Sequence, residues 1–289
     1  MPIKESELIL NPDGSIYHLN LKPQNVSETI IFVGDPDRVN QVTKYFDTIE
    51  FETQKREFKT KTGYYKAKRI TVISTGIGSD NIDIVLNELD ALFNIDFNTR
   101  QHKKEITSLD IIRIGTSGAV QKNIPINSFL LNSYGLDING MLHSYKTDKI
   151  GNLDIENAFI NQTDWHSNKA RPLIIKSSHV LEKKFESDTI YKGITATAGG
   201  FYGPQGRKLR LAIQDDNLNS KIEAFNFNEL SITNLEMETS AIYGLSKLLG
   251  HNAISLNAII ANRATGIFSK KPLDVIDDLI QYTLKKIIE

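Results

Sequence analysis

Arginine, glycine and carboxylate side chains supply most of the chemistry this sequence offers. Arg38 stands just past the turn Gly34-Asp35-Pro36-Asp37, and Arg113 stands near the end of an apolar run, immediately before Ile114-Gly115-Thr116. A guanidinium buried in such a run is costly unless an anion or an acid pairs with it. Phosphate meets that demand through bidentate hydrogen bonds, and a structural ion pair meets it too, so both readings stay open on these features alone. Arg56, in Arg56-Glu57-Phe58, is a third candidate cation. Glu236 and Glu238 lie two apart, a spacing that offers either the paired carboxylates of a glycoside-cleaving site or one acid turned to solvent. Two familiar patterns fail by one position. Gly76-Ile77-Gly78 lacks the third glycine of a dinucleotide fingerprint, because Asn81 stands there. Gly115-Thr116-Ser117-Gly118-Ala119 ends on alanine where a nucleophile elbow needs glycine. The six histidines show no metal-ligand spacing, and the absence of cysteine removes thiolate nucleophiles, disulfides and cysteine-based zinc sites.

These residues need elements to hold them. Short apolar runs rich in β-branched residues recur at 29–33, 70–75, 110–114, 129–132, 173–175, 194–198 and 254–260, and they predict strands, several of them buried on both faces. Helical spacing links Ile82, Val85, Leu86, Leu89 and Leu92, then Met237, Ala241, Leu245 and Leu248, then Val275, Leu279, Ile280, Leu284, Ile287 and Ile288. Pro272 suits the start of the last helix. Strands alternating with helices predict an α/β fold around a parallel or mixed sheet. Segments 94–108 and 147–171 are polar enough to read as surface excursions, and no repeat or long linker divides the chain, so one domain over 1–289 is expected. Such a sheet binds its ligand beyond the carboxyl ends of its strands. The glycine-bearing ends after residues 33, 75 and 114 would let backbone N–H groups approach a ligand closely there.

The whole-chain balance narrows the ligand. Among 289 residues, 40% are hydrophobic and 24% charged, as in ordinary globular proteins. A formal net charge of −1 provides no global positive field for a nucleic acid or an acidic membrane, so a bound anion must be met by a local cluster. The acidic beginning, Met1-Pro2-Ile3-Lys4-Glu5-Ser6-Glu7, is unlike a signal peptide, and no apolar segment is long enough to span a bilayer. A cytoplasmic location is the expectation.

The chain resembles the nucleoside phosphorylases related to bacterial uridine phosphorylase. The resemblance is carried in order by Tyr17-His18-Leu19, Gly34-Asp35-Pro36-Asp37-Arg38-Val39, Arg56-Glu57-Phe58, Ser74-Thr75-Gly76-Ile77-Gly78, Arg113-Ile114-Gly115-Thr116, Phe201-Tyr202-x-x-Gln205-x-Arg207, Glu236-Met237-Glu238 and Asn262-Arg263. It implies a single α/β domain with a mixed, partly closed sheet flanked by helices, assembled as homodimers or as hexamers built from dimers. It also implies inorganic phosphate as co-substrate and no cofactor. Gly34, Arg38, Arg113 and Thr116 would form the phosphate site, with Arg56 supplied by the neighbouring subunit. Thr116, Met237 and Glu238 would contact the ribose, and His18 would reach the 5′-hydroxyl across the dimer interface. Phe201 would pack on sugar and base, while Gln205 and Arg207 would read uracil. Arg113, Gln205, Arg207 and Glu238 are thus the catalytic candidates.

Chemistry agrees with the base assignment. Uracil presents two carbonyl oxygens flanking an N–H, which an amide and a guanidinium together can match. Purine-cleaving relatives carry an acid after the late strand, where this chain continues Asn262-Arg263-Ala264. The sequence departs from the family at Ser79-Asp80-Asn81, beside Glu57 and Ile77, where relatives place a monovalent cation of potassium type. It departs again at Gly203-Pro204 and Gly206, within the loop that reads the base. A phosphorylase or nucleosidase of other base specificity and a non-catalytic nucleoside-binding sensor are the competing readings; phosphate dependence separates phosphorylase, nucleosidase and sensor.

Overall fold

In a computed structural model, which describes residues 2–289, the chain folds around one large mixed sheet. The sheet begins with β1 (Thr29–Val33), whose five residues are all buried. Ile30 and Phe32 face one core and Ile31 and Val33 the other, the alternation expected of a strand covered on both sides. Helix α1 (Pro36–Thr43) follows, started by Pro36 and capped by the Asp35 carboxylate, which accepts from the Asp37 N–H at 2.9 Å. Then come β2 (Thr48–Lys55), β3 (Phe58–Tyr65) and β4 (Lys68–Ser74), and α2 (Ser79–Asn94), which starts after Gly78 at φ 103°. A two-strand ribbon of β5 (Ile95–Asp96) and β6 (Gln101–His102) leads to β7 (Asp110–Ala119) and β8 (Phe129–Asp137). Next are α3 (Leu153–Thr163), β9 (Leu173–Lys176), α4 (His179–Phe185), β10 (Ile190–Thr197) and α5 (Leu218–Ala224). The chain closes with β11 (Asn226–Phe227), β12 (Leu230–Glu236), α6 (Thr239–Leu249), β13 (Asn252–Asn262), β14 (Ile267–Phe268) and α7 (Pro272–Ile288).

Strand pairing explains why the sheet is partly closed. The order β12-β10-β8-β13-β7 returns on itself because β7 also pairs antiparallel with β12, at Asn234↔Ala119 and Leu235↔Gly118. From β7 the sheet runs on as an open arm, β1-β4-β3-β2. Register shifts at Gly193/Ile194, Ile194/Thr195 and Ile259/Ala261 supply the irregularity that lets strands bend around a closed ring. Helices α2 and α6 cover one face, and α1, α4 and α7 the other; α3 and α5 pack with β10 and β12 around Phe159, Phe225 and Ile232.

The structure corrects three expectations. Residues 115–118 do not form a loop after the third strand; they continue β7, because β13 pairs with it as far as Asn262↔Ala119. Segment 147–171 is not merely a surface excursion, since it contains α3, whose Ile155 and Phe159 are buried in the core. The edge strand β2 and its neighbour β3, with their mixture of charged and apolar residues, also went unpredicted.

Candidate active site

Two sets of strands aim their carboxyl ends at each other where β7 and β12 overlap, and a cavity of about 710 Å³ opens there. Its walls include Gly34 and Arg38 after β1, Gly76 and Ile77 after β4, Arg113 and Thr116 from β7, and Met237 and Glu238 after β12. Phe201, Gln205 and Arg207 close it from the loop after β10, with Phe268 of β14 nearby. Of the residues expected at a site, Gly34, Arg38, Arg113, Thr116, Phe201, Gln205, Arg207, Met237 and Glu238 are therefore brought together.

Arg113 sits at the centre of the charge. Its strand position buries it, and the next residue on the same face is Gly115, which leaves the guanidinium room to lie along the strand. A Cβ at Gly115 would stand 1.8 Å from Arg113 Nη1 and 2.5 Å from Asn257 Oδ1. Arg113 Nη1 donates to Asn257 Oδ1 at 3.2 Å, while Nη2 donates to the Glu238 carboxylate and lies 3.6 Å from Glu236 Oε2. Burial alone would depress this guanidinium; the Glu238 and Glu236 carboxylates outweigh it and hold Arg113 above the ordinary arginine value. Burial pushes the Glu238 carboxyl up, against the pull of Arg113 and with the help of the Glu236 charge.

Neither acid of the pair faces solvent. Glu236 Oε2 accepts from the N–H groups of Glu238 and Thr239, each at 2.9 Å, and Oε1 accepts from Thr197 Oγ1 at 2.6 Å. Glu236 thus satisfies N–H groups at the start of α6 and anchors the segment that carries Glu238. Glu238 Oε1 in turn accepts from Gly78 N–H at 2.8 Å, which ties it to the glycine turn ahead of α2.

Arg38 approaches from the first turn of α1, and its Nη1 reaches Ile114 O at 3.5 Å. Its Nε is buried with no hydrogen-bond partner. Burial, and then the charge of Arg113, push the Arg38 guanidinium down. Two neighbouring cations, one with an orphaned N–H, make an electrostatic demand for an anion at this end of the cavity.

At the other end, Gln205 is buried and Arg207 lies over the Phe201 ring, its guanidinium carbon 3.8 Å from the centroid. Arg207 Nη1 donates to Gln205 Oε1 and to Phe201 O, at 2.5 and 2.6 Å. Arg263, to which the sequence alone assigns no role, donates from Nη2 to Gln205 O at 2.7 Å, and its Nη1 is buried without a partner. Burial, and then Arg207, push Arg263 down to about 10. Asn257 was missed as well. The signal was present, since a polar residue breaks the apolar run of β13 where only a partner such as Arg113 justifies it.

Two expected residues stay outside the cavity. Arg56 is exposed at the tip of the β2–β3 hairpin, with φ 57°. His18 is held by Glu88 of α2, whose Oε1 lies 2.6 Å from its Nδ1. Glu57 and Ile77 do border the cavity, but they bring one carboxylate between them. Among the described residues no group of three or more His, Asp or Glu gathers to hold a metal ion.

Comparison with known proteins decides the family. The model for the phosphorylase superfamily matches residues 28–283. The chain belongs to that superfamily. It is 28% identical over 267 residues to a uridine phosphorylase of Thermococcus kodakarensis, covering 89% of this chain and 81% of that protein. A DeoD-type purine nucleoside phosphorylase of Alkaliphilus metalliredigens is 26% identical over 250 residues, covering 86% of this chain and 88% of that one. The solved structure of a Trypanosoma brucei nucleoside phosphorylase, described as showing uridine phosphorylase activity, superposes with a TM-score of 0.88 at 28% identity, covering 98% of this chain and 99% of that one. Phosphorylase-type cleavage of nucleosides is the activity this superfamily member shares with them. Because a pyrimidine and a purine enzyme match at similar identity, 28% and 26%, sequence identity leaves the base to the site itself. Among the described residues no helix is long and apolar enough to cross a membrane.

Proposed function

We propose that the protein cleaves uridine-like pyrimidine nucleosides with inorganic phosphate, releasing the free base and a pentose 1-phosphate. The observation that carries the choice of base is the charge at the Phe201 end of the cavity. Arg207 and Arg263 are cations there, Gln205 adds an amide, and the carboxylates lining the cavity, Asp35, Glu57, Glu236 and Glu238, come from the segments around the phosphate and sugar positions. A purine leaving group needs an acid to protonate it, whereas uracil leaves as an anion and needs donors.

In this account Arg38 and Arg113 hold the phosphate with Gly34 and Thr116, and Glu238 accepts from the sugar hydroxyls beside Met237. A phosphate oxygen bonds to the anomeric carbon as the bond from that carbon to the base nitrogen breaks. The bonding pair leaves on uracil, where Gln205 and Arg207 stabilise it until solvent supplies a proton. The sugar passes through oxocarbenium character, stabilised by the adjacent phosphate dianion. Most of the rate comes from placing two reactants in line and from these preorganised donors. The positions of Arg56 and His18 outside their own cavity support a homodimer, alone or within a hexamer, whose neighbouring subunit supplies both. Comparing uridine, cytidine and inosine at equal concentration in phosphate tests the base assignment. Uridine should be cleaved fastest, and preference for inosine would overturn it.

A further inference from the structure

A second cavity, of about 730 Å³, lies on the other side of the base-reading loop. Its apolar walls come from Ile138, Trp165, Tyr202, Ile213 and Leu218, and cations line it at Lys169, Arg207 and Arg210. Its one carboxylate, Asp215, is already engaged, with Oδ2 2.9 Å from Lys221 Nζ and Oδ1 accepting from Asn217 N–H at 2.9 Å. The Lys169 ammonium sits 4.3 Å from the Trp165 ring centroid, and among the described residues no carboxylate lies within ion-pair distance of it. Burial pushes that ammonium down, against the pull of the Asp215 charge and with the help of Lys221. Trp165 Nε1 is satisfied by Ala170 O at 2.9 Å, so the indole needs no further polar partner.

We infer that this cavity binds a flat aromatic molecule carrying one anionic group. The ring stacks among Trp165, Tyr202 and Leu218, and the anion meets Lys169 and Arg210. Aromatic walls of this size suit a ligand of one or two fused rings, and a few convergent cations fix its orientation. Arg207 lines both cavities, so an occupant here repositions the residue that stacks on Phe201 and bonds Gln205. The site itself stands apart from the uridine assignment. Only the coupling through Arg207 rests on it.

Trp165 is the single tryptophan of the chain, so its fluorescence reports on this cavity directly. The test titrates the intact protein with anilinonaphthalene sulfonate, following energy transfer from Trp165, with uracil and inorganic phosphate present to fill the catalytic cavity without reaction. Saturable transfer is expected, and Lys169→Gln, at a half-buried surface position, should weaken it about tenfold or more. Naphthoate displacing the probe identifies a carboxylate ligand, and uridine monophosphate displacing it identifies a phosphate ligand; either supports the site. Naphthoate should also lower nucleoside turnover in a way that saturating nucleoside does not relieve. Saturable transfer seen only when uracil and phosphate are left out, equal binding to the Lys169→Gln variant, or inhibition relieved by nucleoside would overturn the proposal. Absence of uridine cleavage would sink the function reading while leaving the fluorescence result to stand by itself.

Discussion

Gly115→Ala should disable the phosphate end of the site through one methyl group. Gly115 is not among the residues with positive φ, so the backbone itself accepts alanine and the effect is steric. The new Cβ would stand 1.8 Å from Arg113 Nη1 and 2.5 Å from Asn257 Oδ1, and β13 holds Gly115 in register with Asn257, so the guanidinium must move. Moving it breaks the bond to Asn257 and disturbs the pair with Glu238. Loss of one preorganised donor to a developing charge costs about 3 kcal/mol, or roughly a hundredfold in turnover. Overpacking should take about 1–3 kcal/mol from stability, visible as a fall of several degrees in Tm. The assay is initial-rate cleavage of uridine across a phosphate series, in wild type, Gly115→Ala, Arg113→Ala and the double variant. If alanine acts by displacing Arg113, it adds almost nothing once Arg113 is gone, so the cycle is strongly non-additive. Unchanged phosphate kinetics in Gly115→Ala, or costs that simply sum, would refute the reasoning.

Three further outcomes follow from the same geometry. Arg207→Ala should lower kcat/KM for uridine by about two orders of magnitude while phosphate KM stays near wild type, because the lost donor serves the leaving base; equal losses at both substrates would contradict this. Glu238 must be ionised to accept from sugar hydroxyls, and burial raises its carboxyl. Activity should therefore fall as pH drops through a value above the ordinary glutamate range, and a pH series on Glu238→Gln should lack that limb. Finally, Arg56→Ala and Arg113→Ala chains, each inactive alone, should together recover about a quarter of wild-type activity when mixed dimers form, since half the dimers are mixed and each has one intact site. No recovery in confirmed mixed dimers would place Arg56 outside the neighbouring subunit's site.

Much of the layout was legible because it is local. β1 was read with its full bounds from a run of β-branched residues between polar ends, and α7 from apolar spacing behind Pro272. What failed depended on partners far along the chain. Gly115 and Gly118 look like loop residues, yet β13 holds them in β7 through pairs more than a hundred residues apart in sequence, such as Asn257↔Gly115. The edge strand β2 and its neighbour β3 carry lysine, glutamate and threonine suited to a half-solvated hairpin, which gives no apolar run to find. At the site, the position of Arg113 announced a buried cation needing a partner. Its bond to Glu238 spans 125 residues and appears only when β7 and β12 meet. Arg263 and Asn257 likewise acquire meaning from the neighbours that folding gives them.

The most direct test follows uracil and ribose 1-phosphate when purified protein is given uridine with and without inorganic phosphate. The arginine pair Arg38 and Arg113 predicts that both products appear in equal amounts, and only when phosphate is present. Uracil released at the same rate without phosphate, with free ribose as the other product, would contradict the account.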